Sequence, residues 1–284
     1  MVRGIGGCCA RCSEPVERVV CESLSRVIVN ADDFGLDPAA NAGIVAAFER
    51  GLVSSTSLMA NQAGFAEAVH LALEHRLERH VGVHLVLTSG TPLTDPIRGL
   101  GRFCDSEGSF RARSGRGRVW RVSGQERNAL RLELNAQVRR VREAGLPVTH
   151  LDSHHHAHND WAVCGAVIEV ARRSGIGRVR IARNCGEGIG LGSASYKRVF
   201  NWRLRARGLA GTRWFGDASD WLSLRATGAT AEALADFEIM THPVLDAAGR
   251  LVDPVSGDQE LAVVLAPVIA AASPDSFAST RFEP

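Results

Sequence analysis

Short β-branched runs recur along this 284-residue chain, each closing on polar or charged residues and each followed by helical periodicity. That alternation constrains the fold more than anything else in the sequence, because strands joined by helices lie parallel. Residues 26–31 (RVIVNA) form a near-continuous apolar run, the signature of a strand buried on both faces, and lead into Asp32-Asp33-Phe34-Gly35. A helix is expected over 38–50, opened by Pro38 with Asp37 as N-cap. Residues 55–60 (STSLMA) read as a second strand with Asn61 at its end, then a helix over 64–78. Residues 81–87 (VGVHLVL) read as a third, carrying His84 among apolar neighbours. A helix over 125–143 has Leu130, Leu134, Val138 and Val141 on one stripe and stops at Gly145. Next come a strand over 148–151, a helix over 161–173 and a strand over 178–182 with Arg183 beyond it. A strand over 237–240 delivers Thr241-His242-Pro243, and a helix is expected over 258–271. Polar residues gather where strands end, which is the layout of a parallel β/α barrel with its site at the C-terminal ends of the strands. A doubly wound open sheet shares the alternation, but ligands drawn from so many strand ends favour closure.

Composition narrows the function classes. The chain is long enough for one barrel of about 250 residues, and its 45% apolar content supplies a sizeable core. A net charge of +2, with arginines mixed among glutamates, argues against a nucleic-acid partner. No apolar run reaches membrane-spanning length. Residues 1–25 lack the apolar segment of a secretory signal, so a cytoplasmic location is expected. They read as a flexible extension; Cys8, Cys9, Cys12 and Cys21 there do not complete a zinc-knuckle spacing. The seven cysteines are expected to be reduced. A single domain is expected over 26–272, with 273–284 as a tail.

Five of the ten histidines lie in one stretch, THLDSHHHAHND, residues 149–160. Packing gives no reason to crowd imidazoles in this way, whereas transition-metal binding does. At strand periodicity Asp152 and His154 point to one side, and Ser153 and His155 to the other. The adjacent carboxylates Asp32 and Asp33 at a buried strand end are costly unless they bind a cation or do chemistry. A lone histidine such as His84 is ordinarily a satisfied core residue. Beside Asp33 and His154 it completes a three-ligand open site. Residues 88–124 are too long for a plain connection and read as a lid or substrate loop. Residues 186–231 show no clear period; Trp202, Trp214 and Trp221 there suit either a sugar-stacking surface or core.

The segments NADDFG, GLVSSTSLMAN, VGVHLVLTSGTPL, THLDSHHHAH and IMTHP resemble the YdjC-like (ChbG-type) carbohydrate deacetylase family, over residues of about 26 to 265. The resemblance implies a distorted parallel β/α barrel of the glycoside hydrolase/deacetylase type in a single domain. It implies removal of acetyl groups from N-acetylated sugars such as chito-oligosaccharides, and a possible homodimer. It further implies a divalent metal held by Asp33, His84 and His154, with Asp32 as catalytic base and His242 as general acid. The family suggests magnesium, whereas the imidazole donors suit zinc. Asn61, Asp152, His155, Arg180 and Arg183 are candidates for contacting substrate or supporting the ligands; Arg180 or Arg183 could orient Asp32. The roles of His156 and His158 stay open. So do two rival functions: another metal-dependent hydrolase on the same barrel, acting on an amide or phosphoester, and a non-catalytic metal- or sugar-binding protein.

Overall fold

The computed structural model describes residues 27–112, 118–186, 190–230, 233–234 and 236–271. The cysteines of the N-terminal extension and the expected tail lie outside these residues. Six strands form one sheet: β1 (Val27–Phe34), β2 (Ser55–Leu58), β3 (Val81–Leu85), β4 (Leu151–Ser153), β5 (Trp214–Gly216) and β6 (Phe237–Thr241). Their order is β4-β3-β2-β1-β6-β5, and every pair is parallel. The sheet curls, and residues 178–185 link its two edges. On one side Leu151 N donates to Arg178 O (3.0 Å) and Arg180 N to Leu151 O (2.9 Å); on the other Asn184 N donates to Phe215 O (3.4 Å). The result is a distorted parallel β/α barrel in a single domain.

The helices are α1 (Pro38–Glu49), α2 (Phe65–Glu74), α3 (Asp95–Arg98), α4 (Gly124–Glu143), α5 (Trp161–Arg173), α6 (Leu191–Arg205), α7 (Ala218–Ala226) and α8 (Leu261–Ala271). Local chemistry accounts for their starts. Asp37 accepts from Ala40 N at 2.9 Å with Pro38 in the first turn of α1. Ser123 and Glu126 form a reciprocal capping box at α4. α1 buries Ala40, Ile44 and Ala47, spaced four and three apart, against the sheet. Its Gly43 faces the small antiparallel sheet β7 (Val244–Leu245), β8 (Leu251–Asp253) and β9 (Gln259–Glu260). A Cβ on Gly43 would lie 2.5 Å from Val244 Cα, so only glycine permits this approach. Among the described residues no helix is long and apolar enough to cross a membrane.

Three expected elements need correction. The strand expected over 148–151 is Leu151–Ser153, because pairing with β3 runs on through His84↔Asp152 and Leu85↔Ser153. Residues 178–182 make only isolated bridges at Val179, to Leu151 and Ala210, because they span two sheet edges rather than extend one. The last helix begins at Leu261, because Gln259 and Glu260 are taken by β9.

Candidate active site

The site begins with an irregularity in β1. Pairing with β2 jumps from Ala31↔Thr56 to Phe34↔Leu58, so β1 carries one residue more than its partner between these points. Asp33 absorbs the excess with a left-handed φ of 68°. The two adjacent carboxylates consequently serve different partners: Asp32 meets Arg180, and Asp33 meets His84 on β3.

Arg180 is fully buried and is shared among three carboxylates. Its Nη1 donates to Asp32 Oδ2 (2.6 Å) and its Nη2 to Asp32 Oδ1 (2.7 Å). Nη2 also lies 2.9 Å from Asp152 Oδ2, and Nε donates to Glu238 Oε1 at 2.6 Å. Asn30 Nδ2 adds a bond to Asp32 Oδ1 at 2.8 Å. Burial works to raise the pKa of Asp32, but the neighbouring guanidinium outweighs it and holds the carboxyl below its usual range. Glu238 receives less compensation: burial pushes it up to about 7 despite Arg180, and its Oε2 has no hydrogen-bond partner among the described residues.

His84 Nδ1 lies 2.9 Å from Asp152 Oδ1 and 3.1 Å from Ser57 Oγ. Ser57 donates its hydroxyl proton to Asp152 Oδ2 at 2.8 Å, so the Nδ1 proton goes to Asp152. Nε2 then presents its lone pair to Asp33 Oδ1 at 3.1 Å, an oxygen with no hydrogen-bond partner among the described residues. Two electron-rich atoms face each other, and they demand positive charge between or upon them. Burial opposes that charge on His84, but Asp152 and Asp33 prevail and raise its pKa to about 10. Burial likewise opposes the ionised form of Asp33, yet His84 holds its carboxyl far below the usual range.

His154 stands beside this pair, its ring centroid 5.9 Å from that of His84. Its Nδ1 contacts Thr88 Oγ1 at 3.0 Å and Ser89 Oγ at 3.3 Å. Burial, aided by nearby His84, lowers its pKa to about 4 and keeps it neutral, as metal ligation requires. Asn61 reaches across to the same loop, donating to Ser89 O (3.1 Å) and Thr91 O (3.2 Å).

The other candidates separate. Asp152 joins the network directly. Arg183 turns away, pairing with Asp220 (2.6 Å) and Asp217 (3.3 Å) rather than with Asp32. His155 is exposed and stacks on His154 with centroids 3.7 Å apart. His155 and His156 both hold left-handed backbones, φ 53° and 52°, which turns the chain sharply after His154. His158 is structural: Nδ1 lies 2.5 Å from Ser153 Oγ, and Nε2 3.1 Å from Arg180 O, which fixes the Arg180 backbone. His150 packs over Gly82, where a Cβ would come within 2.4 Å of the ring. His242 follows β6, its N–H donating to Asp253 Oδ2 at 3.2 Å, and lines a cavity of about 370 Å³ with Asp217, Met240 and Asp253.

Asn30, Ser57 and Glu238 were not anticipated. Each is buried in its strand and bonds a member of this network: Asn30 to Asp32, Ser57 to Asp152 and Glu238 to Arg180. The ligand atoms of Asp32, His84 and Asp152 lie within 4.8 Å of one another. With Asp33 and Glu238 added, the buried carboxylates outnumber the one guanidinium, a balance that fits a divalent cation.

Fold and site together define a β/α barrel with a carboxylate–imidazole centre at the C-terminal ends of its strands. Comparison with known proteins makes this specific. A family model described as YdjC-like protein matches residues 26–273, and the chain belongs to that family. Over 146 residues it is 44% identical to a carbohydrate deacetylase of Brevibacillus brevis, covering 51% of this chain and 55% of that protein. It is 42% identical over 146 residues to the carbohydrate deacetylase of Geobacillus stearothermophilus, with 51% and 56% covered. That of Clostridium beijerinckii is 38% identical over 151 residues, with 53% and 58% covered. The chain spans just over half the length of these relatives. A crystal structure from Enterococcus faecalis V583, provisionally described as a cellobiose-phosphate cleavage protein, superposes with a TM-score of 0.61. It is 21% identical and covers 91% of each chain, so the likeness is one of fold.

Proposed function

We propose that this protein is a metal-dependent deacetylase of N-acetylated sugars, chito-oligosaccharides among them. One observation carries the reading. Asp33 Oδ1 faces the lone-pair nitrogen of His84 at 3.1 Å, with His84 turned by Asp152 and with neutral His154 alongside. Two imidazoles and a carboxylate make an open hydrolytic metal site. Asp33, His84 and His154 would hold the ion, whereas Asp32 and Asp152 are engaged by Arg180 on the far side of the cluster. A bound divalent cation would supply Lewis acidity toward the acetyl carbonyl and lower the pKa of the attacking water. Zinc fits the donor set; magnesium is the metal suggested by the family resemblance.

Asp32 takes the proton of that water as oxygen attacks the acetyl carbon. Arg180 and Asn30 together occupy both lone pairs of Oδ1, and Arg180 occupies one on Oδ2, which leaves Oδ2 a further lone pair for that proton. His242, across the strand ends, protonates the nitrogen as the carbon–nitrogen bond breaks, so acetate and a free amine leave. Relatives named carbohydrate deacetylase support the choice of substrate.

Acetate release from diacetylchitobiose and other N-acetyl sugars tests the reading. Release that stops with chelator and returns on adding zinc or magnesium is expected. Undiminished release after complete chelation, or none from any N-acetyl sugar by the metal-loaded protein, overturns it.

A further inference from the structure

A cavity of about 560 Å³ lies outside the centre just described, lined by Trp120, Arg121, Arg127, Trp161 and Arg203 among others. Its place in the fold matters. Trp161 opens α5, the helix that follows β4, so it stands at the barrel end where β4 delivers His154. The intervening segment His154–Asn159 is six residues long and turns sharply at His155 and His156. Even fully extended, the seven steps from His154 to Trp161 span at most ~25 Å, within the reach of a short sugar chain.

The lining is unusual for a surface. Trp120 is 54% exposed, although it is a large aromatic. It is held rather than free: Tyr196 meets its ring edge-on with centroids 5.2 Å apart, and Tyr196 Oη donates to Asn159 O at 2.5 Å. The aromatic platform is thus tied to the histidine segment itself. Arg203 lies 4.3 Å from the Trp161 ring centroid and donates to Trp161 O at 2.8 Å, which fixes that ring. Arg121 and Arg127 make no ion pair among the described residues, while Glu169 is engaged by Arg173 at 2.9 Å. An exposed indole face suits the C–H face of a pyranose ring, and guanidinium forks bond paired hydroxyls.

We propose that this cavity is a remote glycan subsite, in which Trp120 stacks on a sugar of a chain whose acetylated end lies at the metal centre. The inference rests on the deacetylase reading and adds to it that the substrate is an oligosaccharide running past Asn159 to the rim of the barrel. Trp202, at 66% exposure, lies outside this lining, and Trp221 is core.

The test compares the wild-type chain with Trp120→Ala and Trp120→Phe. Acetate release is measured from the N-acetylglucosamine disaccharide and pentasaccharide, and tryptophan fluorescence is followed during pentasaccharide titration. The expected result is a fall of about tenfold in the pentasaccharide-to-disaccharide ratio of kcat/KM for Trp120→Ala, expressed in KM. Trp120→Phe recovers most of the ratio, and the fluorescence change is lost in Trp120→Ala. An unchanged ratio, an equal loss on both substrates, or a wild-type fluorescence that does not respond overturns the subsite. If neither substrate releases acetate, the deacetylase reading fails, and the fluorescence titration still decides whether a glycan binds here.

Discussion

Arg180 balances the charge of three buried carboxylates, and no other residue among those described has so many dependants. Removing it with Arg180→Met takes the bonded guanidinium from Asp32 and Glu238 and leaves Asp152 with His84 alone. A loss of about 3–5 kcal/mol in urea unfolding is expected, and Arg180→Lys should recover little, because an ammonium cannot reproduce the fork. The interior histidines give the chain an acid limit. Burial, with Arg180 nearby, lowers His156 to about 3; burial, with His156 nearby, lowers His158 to about 3. Between that value and the unfolded value near 6.5, the unfolded chain binds protons that the native chain refuses. Their contribution is therefore complete above about pH 6.5 and is lost as pH falls, by roughly 2 kcal/mol for each by pH 5. Thermal unfolding should show Tm falling over this range, and a His158→Gln variant should show a shallower fall. Asp33, His84 and His154 stood out in the sequence because charged and imidazole side chains are rare at buried strand ends. Ser57 and Glu238 did not, because a serine or glutamate in a strand looks the same whether it faces solvent or a buried charge network.

Among the elements, the strand and helix order was legible because parallel strands and amphipathic helices have different periods. Helix α5 falls at the expected 161–173, and Asp37 caps α1 as expected. Where the sequence was silent, structure came from tertiary pairing. β5 has only three residues, Trp214–Gly216, and is defined by β6 beside it. β7 to β9 are shorter than any periodicity can show, and they depend on α1 presenting Gly43. Gly43→Ala forces the added methyl against the Val244 backbone and should cost about 1–3 kcal/mol in denaturant unfolding. Because β7 begins two residues after His242, the same variant should lower kcat more than it raises KM for the disaccharide.

The molecule as a whole is a curled sheet whose edges are joined by residues 178–185, and Arg180 lies inside that joining segment. Closure of the barrel and assembly of the centre are therefore one event, which explains why an irregular segment carries the residue that the carboxylates need. The barrel was legible from the strand ends; its distortion was legible only through the family resemblance, because which edges meet leaves no periodicity in the residues. Two ligand sets remain physically distinct in this architecture: Asp33, His84 and His154 on the open side, and Asp32, His84 and Asp152 against Arg180. Metal content per chain, measured by mass spectrometry on wild type, Asp32→Asn and Asp33→Ala, separates them. One divalent ion per chain is expected in wild type and in Asp32→Asn, the latter with turnover reduced by about 10²–10⁴, and none in Asp33→Ala. Metal kept by Asp33→Ala and lost by Asp32→Asn would contradict the open-side ligand set and place the ion against Arg180 instead.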